Sequence, residues 1–176
     1  MLMGDLSWME ELLGEAPARL VSFERALAFK ADIVHRDPLE QGERRLLNLG
    51  HTLGHAVESA SGYALLHGEA VGMGLLACCL LGESLGQRPF PPAFMDRLAA
   101  RLAPLSAHLP PWEALIPWLA RDKKGIGLRA GAGEPTIHCI LPRPGETALQ
   151  RQLPLEAWRE PYARLQHLLQ GDPSRA

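Results

Sequence analysis

The chain has 176 residues, 47% of them apolar and 22% charged, the balance of an ordinary globular domain. That length supports one domain with a real core and excludes a large multidomain enzyme within these residues. A formal charge of −2 argues against a polyanion-binding surface, so no nucleic-acid partner is expected. The longest apolar run, Ala70 to Leu81, is broken by Gly72 and Gly74 and falls short of the ~18 residues of a membrane span. The start MLMGDLSWMEE lacks the basic region of a signal peptide. Three cysteines, Cys78, Cys79 and Cys139, give no disulfide framework and read as small core residues. A cytoplasmic protein with no membrane partner is the expectation.

The elements read mainly as helices. Ser7-Trp8-Met9-Glu10 is a capping-box pattern for a short helix ending near Gly14. Pro17 suits the first turn of the next, whose apolar positions Leu20, Phe23, Leu27, Ala31 and Val34 recur at helical spacing up to the break before Pro38. Asp37-Pro38 starts a turn. A long helix is expected from about Glu43 to Ser59, closed by Ser61-Gly62. Another runs from about Gly68 to Leu85, with a Gly- and Ala-rich face that lets neighbours approach. Shorter helices follow near Pro92–Leu102 and Pro111–Leu119. Glycines 125, 127, 131 and 133 mark a loop. Thr136 to Leu141 and Thr147 to Leu153 flank a Pro-Arg-Pro-Gly turn, giving one small β-hairpin near 135–153. A last helix spans roughly Pro154 to Leu169, with Pro161 a kink or restart. The fold class is therefore mainly α, with residues 1–176 forming a single helical domain. No strand–GxGxxG–helix unit is present in the sequence, so no dinucleotide-binding half is expected within it.

The chemistry concentrates between Arg44 and Glu69. His51 and His55 are four apart on an expected helix and project from one face. Arg44, Asn48, His51, His55 and Glu58 form one polar stripe at helical spacing. Such a His pair reads either as divalent-metal ligands, zinc by default, or as a solvated, hydrogen-bonded helix face. A returning helical hairpin brings His67 back onto the stripe. Gly50 and Gly54 are costly inside a helix, which points to a close approach: either a ligand or a tightly packed helix. Glu69 reads as a ligand or as a dipole-favourable residue at a helix start. Only three of the 18 basic residues are lysine: Lys30, Lys123 and Lys124. They read either as surface charges or as compact cationic contacts for an anionic ligand.

The phrase RRLLNLGHTLGHAVE, Arg44 to Glu58, resembles the central signature of the 3-dehydroquinate synthase family. GYALLHGEAVGM, Gly62 to Met73, resembles its next block. Lys30 with Ile33-Val34, and Asp122-Lys123-Lys124, resemble two flanking segments. The resemblance implies a helical C-terminal domain that binds metal and substrate beside an N-terminal NAD-binding domain. It implies cyclisation of 3-deoxy-arabino-heptulosonate 7-phosphate, a sugar phosphate, to 3-dehydroquinate with loss of phosphate, in the shikimate pathway. It assigns His51 and His67 as ligands of zinc, or of another divalent metal such as cobalt. Arg44, Asn48, His55, Lys30 and one of Lys123 or Lys124 match substrate-contacting positions. Of these, His55, Lys30 and Lys123 are taken as catalytic, with His55 a proton relay near the phosphate, and Arg44, Asn48 and Lys124 as substrate-binding.

Related cyclases differ at these positions. Deoxy-scyllo-inosose synthases carry an acidic residue at the position of Asn48, and valiolone-type synthases lack the histidine at His55. Holding both favours dehydroquinate synthase. In the family a glutamate ligand and a catalytic lysine belong to a motif that would precede Met1, as would the NAD domain. The expectation is a C-terminal half inactive alone, working with an N-terminal half in cis or in trans, as a homodimer in the family's full-length form. The alternatives are another sugar-phosphate cyclase, or a non-catalytic helical binding module. A large exposed apolar patch would indicate a missing partner.

Overall fold

The computed structural model describes residues 20–87, 90–121, 135–142 and 149–171. The expected features near Ser7 and Pro17, the glycine loop at 125–133, the hairpin turn at 143–148 and the pair Lys123 and Lys124 lie outside the described residues.

The first described helix, α1, spans Leu20–Arg36. Arg36 ends it by pairing with Asp32 one turn back and with Glu43 beyond the turn. Asp37 then organises the connection. Its carboxylate accepts from the backbone N–H groups of Gln41, Gly42 and Arg44 at 2.8–3.0 Å. Those donors hold its carboxyl below the ordinary aspartate range.

Here the structure departs from the sequence reading. In place of one helix from Glu43 to Ser59 there is a 3-10 segment, Glu43–Asn48, and a separate helix α2, His51–Ala60. Between them Leu49 is extended (ψ 126°) and Gly50 is left-handed (φ 75°), a conformation that favours glycine. The polar stripe is therefore split between two elements.

Gly62 and Tyr63, both left-handed, turn the chain into helix α3, His67–Ser84. Glu69 belongs to the start of this helix, where its carboxylate accepts from the Leu66 N–H at 2.8 Å. Helix α3 is the hub. Met73, Leu76, Ala77, Cys79 and Leu81 are all but inaccessible, and the rest of its middle is at least half-buried, as suits a helix apolar nearly all round. It packs against α2, against α4 (Pro92–Leu102), against strand β1 (Thr136–Leu141) and against the C-terminal helix α6 (Arg159–Gln170).

The α2–α3 crossing is backbone against backbone. A Cβ on Gly74 would stand 2.0 Å from the Gly50 carbonyl oxygen and 2.8 Å from the Gly54 nitrogen. One on Gly54 would stand 2.9 Å from the Cα of Val71. The glycines of the signature thus serve tight helix packing, the second of the two readings above.

A 3-10 segment, Ala103–His108, leads to helix α5, Trp112–Arg121. The expected hairpin is present: β1 pairs antiparallel with β2, Leu149–Pro154, in register from Thr136↔Pro154 to Leu141↔Leu149. A third 3-10 segment, Leu155–Trp158, precedes α6, with Pro161 in the helix's first turn, a restart rather than a kink. Gly171 closes α6 with a left-handed φ of 80°. Tyr162, fully buried, donates its hydroxyl to the Pro110 carbonyl at 2.6 Å and tethers α6 to the segment leading into α5. The three cysteines are buried core residues. Burial pushes the thiols of Cys78 and Cys79 far up and that of Cys139 to about 12, so they stay protonated and unreactive.

No helix among the described residues is long and apolar enough to cross a membrane. Helix α1 is the exception to good burial: Phe23 and Leu27, one turn apart, are 66% and 57% exposed.

The crossing predicts a sharp contrast between two glycine substitutions. Gly74→Ala should cost about 3 kcal/mol or more, because the obstacle is backbone and cannot rotate away. Gly68→Ala, which meets nothing within 4 Å, should be neutral or stabilise by up to about 1 kcal/mol. Urea midpoints of the two variants check this.

Candidate metal and substrate site

Helix α2 carries His51 as its first residue and His55 one turn further on, and the first residue of α3 is His67. Because α2 and α3 form a close antiparallel hairpin, the three rings meet. Ring centroids lie 5.4 Å apart for His51–His55, 5.4 Å for His51–His67 and 5.5 Å for His55–His67. One ring nitrogen from each lies within 4.8 Å of those of the other two. A tetrahedral zinc ion with ligands at about 2.0–2.1 Å needs its donors about 3.4 Å apart. His55 and His67 are exposed and can rotate to close that gap, so the donor set fits a divalent metal.

The rings differ in how they are held. His51, half-buried, sets its Nδ1 3.1 Å from the Leu49 carbonyl. His67 sets its Nδ1 3.3 Å from Glu58 Oε2. A carbonyl or carboxylate at Nδ1 makes that nitrogen the protonated one and leaves Nε2 as the donor, the usual arrangement of a histidine metal ligand. His55 has no hydrogen bond to any described residue. Burial lowers the pKa of His51, and the neighbouring charges of His55, His67 and Lys30 push the same way. A neutral imidazole is the ligating form.

His51 and His55 open onto a cleft of about 540 Å³, within the usual range for a small-molecule site. Asn48, Arg45 and Glu40 line one wall, and His138 and Ile140 of β1 the other. Thr52 ties the walls together by donating its hydroxyl to the His138 carbonyl at 3.1 Å.

The sequence-derived residues are placed unevenly. Asn48 lines the cleft and donates to Glu40 Oε1 at 2.8 Å. Arg45, rather than Arg44, faces the cleft. In a 3-10 segment residues three apart share a face, so Arg45 aligns with Asn48, whereas the expected α-helix would have aligned Arg44. Arg44 instead donates Nη1 to the Pro38 carbonyl at 2.9 Å. Lys30 is exposed on α1 and outside the cleft lining, though near enough for its charge to act on His51.

Two contributors were missed from sequence. Glu40 has a left-handed backbone, φ 56°, unusual for a non-glycine residue. Its signal was an acidic residue inside a Pro-to-Gly turn just before the stripe. The β1 wall left no local signal, since His138 is 86 residues from Thr52.

Fold and site together define a helical domain with a cluster of three histidines, able to hold a divalent metal, beside a cleft. The model of the 3-dehydroquinate synthase C-terminal family matches residues 7–125, and the chain belongs to that family. The 3-dehydroquinate synthase of Paracoccus denitrificans (strain Pd 1222) is 42% identical over 139 residues, covering 70% of this chain and 38% of the relative. That of Ruegeria pomeroyi is 36% identical over 165 residues, covering 81% and 45%. The chain thus spans less than half the length of these relatives. Among solved structures, a 2-epi-5-epi-valiolone synthase from Streptomyces hygroscopicus subsp. jinggangensis 5008, with NAD+ and Zn2+ bound, superposes with a TM-score of 0.65 at 24% identity, covering 93% of this chain and 47% of that one. A 2-deoxy-scyllo-inosose synthase complexed with carbaglucose-6-phosphate, NAD+ and Co2+ gives 0.61 at 19% identity, covering 79% and 40%. These likenesses show a shared fold.

Burial of His51 makes stability pH-dependent. Its folded pKa lies below the ordinary value near 6.5, so its contribution is present above about pH 6.5 and lost as pH falls through the folded pKa. With chelator present, the urea midpoint should decline on acidification from pH 7 to pH 5. The His51→Gln variant should show a shallower decline over that window.

Proposed function

We propose that this chain is the metal- and substrate-binding part of a 3-dehydroquinate synthase. The reaction cyclises 3-deoxy-arabino-heptulosonate 7-phosphate to 3-dehydroquinate with elimination of phosphate. The observation that carries the reading is the meeting of His51, His55 and His67 at the mouth of a polar cleft of substrate size. The names of the relatives, all 3-dehydroquinate synthases in the most similar curated matches, favour this reaction over that of another cyclase. So does the pairing of Asn48 with His55 in one site.

His51 and His67 would hold the metal through Nε2, each oriented from its Nδ1 side. A divalent metal held there would supply Lewis-acid polarisation of a substrate oxygen. NAD+ as hydride acceptor belongs to a partner domain supplied in cis or in trans. The exposed Phe23 and Leu27 of α1 support a surface built for such a neighbour.

The chain's own residues bind and move protons. Asn48, with its amide nitrogen donating to Glu40, presents its amide oxygen to a substrate hydroxyl. Arg45 at the cleft neutralises the phosphate, and Lys30, whose charge acts on His51, and Arg44 join it on the strength of the sequence resemblance. Lys123 and Lys124 add to that set on the strength of the sequence resemblance. His55, held by no hydrogen bond among the described residues, turns between substrate and solvent and carries the proton that accompanies phosphate loss.

Substrate binding tests this directly. The heptulosonate phosphate titrated into the Co2+-loaded chain should show a broadened 31P resonance. His51→Ala should remove the broadening, and Asn48→Ala should weaken apparent affinity by about 10-fold. A 31P line equally sharp with and without the Co2+-loaded chain would reject the reading.

A further inference from the structure

We infer that Glu58 is a positioning residue for the metal site, acting through His67. This rests on the reading of His51 and His67 as metal ligands. The two ligands reach the site by different routes. His51 is oriented by its own chain, through the Leu49 carbonyl two residues away. His67 has no such backbone acceptor. It stands at the start of α3, just after the left-handed turn at Gly62 and Tyr63, and its side chain is 52% exposed. An imidazole this exposed samples several rotamers and both tautomers unless something fixes it.

Glu58 supplies the missing constraint from the other helix. It lies one turn beyond His55 on α2, with its side chain only 19% exposed, and its Oε2 is 3.3 Å from His67 Nδ1. With the carboxylate ionised, Nδ1 carries the proton and Nε2 becomes the donor. The carboxylate also raises the basicity of that Nε2. Glu58 is not among the potential ligand atoms that lie within 4.8 Å of one another, which among the described residues come from the three histidines; its carboxylate stands behind His67, at Nδ1. Its role is therefore orientation, charge and tautomer, not ligation.

The pattern also separates the histidines by task. The two with an acceptor at Nδ1 are held as ligands, and the one without, His55, keeps both nitrogens available for proton transfer.

Two measurements on the whole chain decide this. The first is affinity for Zn2+ and Co2+, by competition with a chromophoric chelator. Glu58→Ala should weaken both by 10- to 100-fold. Glu58→Gln, near in shape and keeping an acceptor oxygen, should fall between it and the parent. The second is 15N NMR of the metal-free chain at neutral pH, which reports the tautomer of each imidazole. His67 should be the Nδ1–H form in the parent and shift toward Nε2–H in Glu58→Ala, while His51 stays Nδ1–H. A purely structural role for Glu58 would move neither the tautomer of His67 nor the order of affinities. Unchanged metal affinity in both variants, with the parent binding metal, overturns the role of Glu58 and leaves the metal reading standing. A parent chain that binds neither cation overturns both.

Discussion

Everything at the site depends on how closely two helix backbones can approach. Helices normally sit about 8–10 Å apart because side chains keep them there. Between α2 and α3 the side chains are absent: Gly50, Gly54 and Gly74 meet face to face, and a methyl group on Gly74 would overlap the Gly50 carbonyl. Inside their helices Gly54 and Gly74 each cost up to about 1 kcal/mol of propensity. The burial of most of α3 offsets that cost. The close crossing holds the first residue of α3 against α2 near Glu58, and from there the ring of His67 meets those of His51 and His55. A wider crossing would leave a His pair and a stray third ring.

The same glycine has a second consequence. The left-handed Gly50 ends one element and starts the next, so the residues before it wind as a 3-10 segment anchored by the Asp37 carboxylate. That winding turns Arg45 and Asn48 toward the cleft and frees the Leu49 carbonyl to orient His51. Anion-facing groups, hydroxyl-facing amide and imidazoles therefore follow one another along a short stretch of chain. The division of labour among the histidines follows from what sits behind each ring rather than from the rings themselves.

Much of this was legible in the sequence, for identifiable reasons. Helices α3 and α4 and strand β1 carry strong local signals, and their extents differ little from the periodicity and turn residues that mark them. The hairpin return of His67 could be anticipated because a short Gly-containing turn joins two helices. The break at Gly50 could not, since the spacing from Arg44 to Glu58 fits an uninterrupted helix and only tertiary contact with Val71 and Leu75 reveals the left-handed turn. For that reason the helical stripe takes in Arg44, whereas the 3-10 winding turns Arg45 to the cleft. The β1 wall and the orienting role of Glu58 depend on contacts between elements, which no local pattern encodes.

The central claim is that the glycine crossing alone, before any metal binds, assembles the three imidazoles. A nuclear Overhauser spectrum of the metal-free chain tests it most directly. With ring centroids 5.4–5.5 Å apart, ring-proton cross-peaks should connect His67 to both His51 and His55. Cross-peaks between His51 and His55 alone, with none to His67, would contradict the account, because the hairpin would then not bring the start of α3 onto α2.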